Sequence, residues 1–215
     1  MTGGTITLTK DLLEIAAEQF SLIGDNQIAN EAIKRAFYQF PTNDDIAVVC
    51  IKAVLINALY QTVIFDIIHL ARHIVGKSID PKLRAADLGV INDIRFGHGI
   101  GERDLYSFAT KYAHFHKPDL YPIYDNLVKR LLSNANRKMR FYKEGFTQPQ
   151  LKDYSAYKSV VDSLVEHLNI PASWKYKKID QGLWIYAKYR YRPKEVKKWP
   201  PDVAQRLKQA ERSND

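Results

Sequence analysis

The fifteen residues 46–60 constrain the fold more than any other stretch. Ile46, Val48, Val49, Cys50, Val54, Leu55, Ile56 and Leu59 fall on every side of a helix, and Lys52 is the one charge among them. A helix without a polar face has to be covered all round, so this one is expected at the centre of its fold with other helices packed about it. It is too short to span a bilayer, and Lys52 argues against a membrane setting.

The segments around it also carry helical periodicity. Thr9 reads as an N-cap, with Asp11 in the first turn and Leu12, Leu13, Ile15, Ala16 and Phe20 following. Further helices are predicted over 26–40, 63–75, 80–88, 90–96, 121–134, 150–168 and 178–189, with a polar, peripheral helix over 202–212. No sustained period-2 alternation occurs in residues 9–136, so no sheet is expected. The fold class is all-α.

At 215 residues the chain suits one domain, readable as two helical lobes: 43–133, and 1–42 with 134–215. The formal charge of +8 is segregated. Residues 1–136 hold 14 Lys+Arg against 15 Asp+Glu, whereas residues 137–215 hold 18 against 9. A basic surplus on one part of a chain points to an anionic partner. The single cysteine, Cys50, rules out a disulfide framework or a CxxC zinc site within one chain. The N-terminus carries no secretory signal pattern, and a cytoplasmic monomer is the default expectation.

Three places carry potential chemistry. His98, Gly99, Ile100 and Gly101 form a glycine hairpin that can turn backbone amides toward an anion, with Arg103 close behind; an ordinary glycine-rich loop reads the same way. Asp125 lies in the first turn of a helix opened by Pro122, as a group that works there or one that supports the helix end. Lys111 borders the apolar stripe of Phe108, Tyr112 and Phe115. That suits an amine whose charge is disfavoured by desolvation, or a lysine whose stem merely covers aromatic surface. His69 and His73 are an i, i+4 pair without a third ligand, so no metal or other cofactor is expected. Trp174, Tyr176, Trp184, Tyr186, Tyr189 and Tyr191 interleave with Lys175, Lys177, Lys178, Lys188, Arg190 and Arg192. That mixture suits phosphate contacts and base stacking, with Trp184 and Ile179 turned inside.

These pieces, taken in order, resemble the helix-hairpin-helix DNA glycosylase superfamily. The segment 54–62 with Gln61 and Thr62 resembles the family's early apolar helix and its Gln-Thr turn. His98, Gly99, Ile100 and Gly101 resemble the Pro-Gly-Val-Gly hairpin. Lys117 and Pro118 through Ile123, Tyr124 and Asp125 resemble the loop that carries the catalytic aspartate. Residues 106–112 and 122–125, with Ile179, Asp180, Leu183 and Trp184, are similar to bacterial proteins like the 8-oxoguanine glycosylases. The resemblance implies a two-lobed helical fold and removal of a damaged base flipped out of duplex DNA. Asp125 would stabilise positive charge on the sugar or deprotonate the nucleophile, and Lys111 would supply the amine for a lyase step. Gly99, Gly101 and Arg103 would hold a flanking phosphate, Gln61 would meet the flipped base, and Lys175, Lys177, Lys178 and Arg190 would contact the backbone. The chain departs from the pattern where Glu102 and Arg103 follow the hairpin in place of a lysine, so the amine would come from two turns further along. A non-catalytic DNA-binding protein on the same fold is the alternative.

Overall fold

The computed structural model describes residues 6–95 and 104–212, and among these it is all-α with no strand. In chain order the helices are α1 (Lys10–Gln19), α2 (Asn26–Gln39), α3 (Ile46–Tyr60), α4 (Ile67–Gly76), α5 (Asp80–Arg84), α6 (Val90–Arg95), α7 (Tyr106–His116), α8 (Asn126–Met139), α9 (Tyr154–His167), α10 (Lys175–Tyr191), α11 (Pro193–Val196) and α12 (Pro201–Arg212). They form two compact units, residues 28–123 and residues 1–27 with 124–215. The divisions fall at 28 and 124, where the sequence pattern suggested 43 and 134.

In the 28–123 unit, α3 packs on α4 and α7, and α6 packs on α7. Asp45 caps α3 by accepting from the Val48 amide at 3.1 Å. The expectation that α3 is covered all round is wrong. Only Val49, Lys52, Ala53 and Ile56 are buried, at the i, i+3, i+4, i+7 spacing of a single face. Ile51 and Val54 on the other side are 45% and 49% exposed.

The next helix also starts later than its pattern suggested. α4 begins at Ile67, capped by the Asp66 carboxylate. The link before it is organised by one side chain: Asn57 donates to the Ile64 carbonyl, and its Oδ1 accepts from the Ile64 amide, both at 2.8 Å. A short polar side chain that bonds backbone in this way competes with helix, which is why the apolar pattern misled at 63–66.

In the other unit, α10 lies against α1, α8 and α12, and α12 also packs on α1. Thr9 caps α1 as its sequence suggests. The last helix is not peripheral: Val203, Leu207 and Ala210 recur every three to four residues and are buried. Tyr186 and Arg190 on α10 both donate to Glu211 Oε1 on α12, which fixes its outer end. The helix expected over 150–168 is interrupted. A 3-10 turn at Gln150–Lys152 precedes Asp153, whose carboxylate caps α9 at the Ala156 amide. Trp184, expected inside, is only half-buried, 5.9 Å from Phe20 between ring centroids and covered by the Lys188 amine.

The contact between α1 and α10 depends on Gly182. A Cβ there would lie 2.5 Å from the Leu13 carbonyl oxygen, and backbone cannot yield as a side-chain end would. In an open helix, glycine to alanine stabilises by about 1 kcal/mol. Here the sign inverts: Gly182→Ala is expected to destabilise by about 1–3 kcal/mol through overpacking, read as a lower urea midpoint. A higher midpoint would show that the helices do not approach so closely.

Candidate functional site

Asp125 comes at the end of a segment that is extended rather than helical. The sequence suggested a helix opening near Tyr121, but α8 starts at Asn126 and Asp125 is its N-cap, with φ −136° and ψ 143°. Tyr121, Pro122 and Tyr124 are buried and hold the approach in place, and the Tyr124 ring meets Tyr157 edge-on at 5.3 Å. Asp125 Oδ1 accepts from the Leu127 amide at 2.7 Å and the Val128 amide at 3.4 Å. Among the described residues Oδ2 accepts no hydrogen bond, and the residue is only half-buried. One oxygen is therefore fixed by the helix end while the other can meet a cation or a water molecule.

Lys111 belongs to the 28–123 unit, Asp125 to the other. The lysine lies on α7 and is 4% exposed. Its amine turns back along its own helix, donating to Ser107 Oγ at 2.6 Å and to the Ser107 carbonyl at 3.3 Å. It also stands 5.6 Å from the centre of the Tyr60 ring. A buried ammonium engaged in this way is poorly placed to attack a sugar. The hairpin residues Gly99, Gly101 and Arg103 lie outside the described residues. Their flanks are joined by a bidentate pair, Arg95 Nε to Asp104 Oδ1 at 2.5 Å and Arg95 Nη2 to Oδ2 at 2.9 Å. Gln61 is exposed and caps the C-terminal end of α3 in the left-handed conformation, φ 52°.

The C-terminal basic residues separate into two groups. Lys175, Lys177 and Lys178 line an open cavity of about 290 Å³ with Ala17, Glu18, Trp174 and Gln181. Lys178 bonds Glu14 at 2.5 Å and lies 4.2 Å over the Trp174 ring, so part of its charge is met within the fold. Lys175 is exposed and Lys177 half-buried. Arg190, expected as a phosphate contact, is drawn instead against Glu211, and its charge is compensated there. His73 Nε2 donates to the Asp93 carbonyl at 2.6 Å, and among the described residues no group of three or more His, Cys, Asp or Glu side chains is placed to hold a metal ion.

A polar cluster that the pattern of motifs did not reveal lies inside the 28–123 unit. Lys52 is fully buried, and its amine donates to the Phe40 carbonyl at 3.2 Å, the Thr42 carbonyl at 2.7 Å and Asn43 Oδ1 at 2.6 Å. Burial pulls its pKa down to about 8, against the attraction of Asp80 and Asp44. Asp80 accepts from the Asn43 backbone and side-chain amides, at 2.9 and 2.5 Å, which orients the Asn43 amide. Asn43 Oδ1 then faces only donors: Lys52, the Tyr112 hydroxyl at 2.6 Å and His116 Nε2 at 3.1 Å. His116 must carry its proton on Nε2. The signal was available in the lone charge of an apolar helix, because a lysine forced inward requires acceptors nearby.

Comparison with known proteins places this cluster in a defined region. The family model HI_0787_N, described as an N-terminal domain, matches residues 12–120, just over half of the chain. The chain belongs to this family. A Haemophilus influenzae protein recorded as uncharacterized is 34% identical over 134 residues, 61% of this chain. The match spans 62% of that relative's own length. No solved structure matches the chain. The family region contains Gln61, Lys111 and the whole Lys52 cluster, while Asp125 and the C-terminal lysines lie beyond it.

Burial first, then Lys52 and Lys117, pulls the His116 pKa down to about 3. In the unfolded chain it is about 6.5. The folded state thus keeps His116 neutral where the unfolded chain binds a proton, so this contribution is complete above about pH 6.5 and is lost as pH falls toward 3. His116→Gln retains a donor toward Asn43 but cannot titrate. Denaturant unfolding at pH 7 and pH 5 is expected to show a smaller acid loss in the variant than in the wild type. Equal losses would place the acid sensitivity elsewhere.

Proposed function

We propose that the chain is a DNA glycosylase of the base-excision type that removes a damaged base, with an oxidised purine as the first candidate. The carboxylate of Asp125 is the observation that supports this reading most. Its Oδ1 is held by two amides of α8, and its Oδ2 is left to act. In the reaction the bond between the base and the sugar C1′ breaks, the base leaves with the electron pair and takes a proton from solvent, and water adds to C1′. Asp125 stabilises the positive charge that develops on the sugar and accepts the proton of the attacking water. Lys175 and Lys177 belong to the same unit as Asp125 and supply cations for the phosphate backbone. The engagement of Lys111 with Ser107 favours hydrolysis without an amine intermediate over a glycosylase with lyase activity.

That same engagement of Lys111 supports a second reading, a DNA-binding protein that keeps the fold without the chemistry. Base release from a duplex carrying one oxidised purine separates the two. Asparagine caps a helix about as well as aspartate, so Asp125→Asn is expected to keep its unfolding midpoint. Base release is expected to fall by roughly 100-fold or more. Borohydride is expected to trap no adduct dependent on Lys111. Unchanged release in Asp125→Asn removes Asp125 from the mechanism. Salt-sensitive duplex binding with no release from a panel of lesions favours the second reading.

A further inference from the structure

One run of the chain carries cations that the proposed chemistry leaves unused. Residues 126–143 begin directly after Asp125 and hold Lys129, Arg130, Arg137, Lys138, Arg140 and Lys143 with no Asp or Glu among them. All but Lys129 are exposed, and none of the six forms an ion pair with a described residue. By contrast, Lys158, Lys178, Lys188 and Arg190 of the same unit each meet a carboxylate. Asp125 and Glu144 bound the run, and Glu166 adjoins His167, whose ring stands 6.4 Å from that of Phe141. Three acids against six cations leave a net of +3. The helix dipole accounts for Arg137 and Lys138 in the last turn of α8, but not for Arg130 at its middle or Lys143 beyond its end. The turn after α8 is held in place. Arg140 closes the helix in the left-handed conformation, φ 50°. Asn136 donates to the Tyr142 carbonyl at 3.2 Å and accepts from the Tyr142 amide at 2.8 Å, and Phe141 is buried. Arg140 and Lys143 therefore project from a fixed backbone, which lowers the ordering cost of a contact.

We propose that α8 and the turn after it lie along the duplex and contact its phosphates on one side of the damaged base. The proposal rests on the DNA reading above and takes Asp125 as the point where the base is removed. α8 has 14 residues, with Asp125 at one end and Arg140 at the other. Its length is about 21 Å, which at about 3.4 Å per base pair spans about six base pairs. Arg137, Arg140 and Lys143 therefore reach phosphates about five to seven base pairs from the reacting sugar. Arg130 lies nearer, with its guanidinium 4.2 Å from the centre of the Tyr191 ring, a contact that orients the group and keeps its charge. A row of separated cations without a carboxylate among them suits a regularly spaced polyanion. A lipid surface is a poor match, because the apolar face of α8, at Val128, Leu131, Leu132 and Ala135, is already buried in the protein.

Fluorescence anisotropy of the full chain with duplexes that carry one tetrahydrofuran abasic analogue tests the proposal, because it reads binding without base release. The variant is Arg137→Gln/Arg140→Gln/Lys143→Gln, at three exposed positions, with circular dichroism to verify folding. Its plot of log affinity against log salt is expected to be shallower than that of the wild type by about 2–3. The control Lys34→Gln/Arg35→Gln/Lys77→Gln removes the same charge from exposed residues of the 28–123 unit and is expected to keep the wild-type slope. Shortening the duplex from about eight base pairs to about three on the contacted side of the analogue is expected to weaken the wild type by about tenfold or more, and the variant far less. Equal slopes in variant and wild type overturn the proposal, as does an equal loss in the control. A wild type indifferent to the length of both arms overturns the placement along α8. Polyglutamate that displaces the duplex as well as unlabelled duplex of equal charge overturns it in favour of an acidic protein partner. Failure of the glycosylase reading gives a different result: no base is released, while the differences in slope and arm length persist and support the contact.

Discussion

The buried ammonium of Lys52 is the interaction on which the 28–123 unit depends. An ion removed from water is costly unless every one of its protons finds an acceptor. Lys52 meets that condition with two carbonyls of the chain before α3 and the side chain of Asn43. Asn43 passes the constraint on, to Asp80 at the start of α5 and to Tyr112 and His116 on α7. One charge thereby fixes the entry to α3 and the positions of two other helices. It also fixes which way α3 faces: with the lysine inward, the opposite side of the helix carries no charge at all.

The cluster and the proposed reacting group show two uses of a polar side chain. Lys52 and its partners satisfy one another, with Lys52, Asn43 and Tyr112 buried. Among the described residues Asp125 is satisfied on one oxygen only, at a helix end, with its other oxygen available. Lys111 resembles the first case more than the second, since its amine is held by Ser107 on the preceding turn. The proposed chemistry therefore rests on a carboxylate and water.

Much of the fold was legible in the sequence. The 3.6-residue periodicity and the cap at Thr9 gave the all-α class and the placement of most helices. Periodicity could not say how much of an apolar helix would be covered, so α3 was read as enclosed when only one face is. It also undervalued α12, where three buried residues are hidden among many polar ones. The candidate site was legible in part. Asp125 stood out by its place near a helix start, yet the N-cap geometry that leaves Oδ2 available needed coordinates. Arg190 looked like a phosphate contact because Glu211, 21 residues on, gave no sign in the sequence of being its partner. Gly182 showed no local reason for glycine, because the reason is the Leu13 carbonyl on another helix.

The glycosylase account turns on whether Asp125 meets positive charge on the sugar. The most direct measurement is the affinity for two duplexes that differ at one position, one with a neutral tetrahydrofuran abasic analogue and one with a cationic pyrrolidine analogue. A site built for a cationic transition state binds its mimic more tightly. The account predicts that the wild type prefers the pyrrolidine duplex by about tenfold or more, and that Asp125→Asn loses the preference while still binding both. Equal affinity of the wild type for the two duplexes, or a preference that survives in Asp125→Asn, would contradict it.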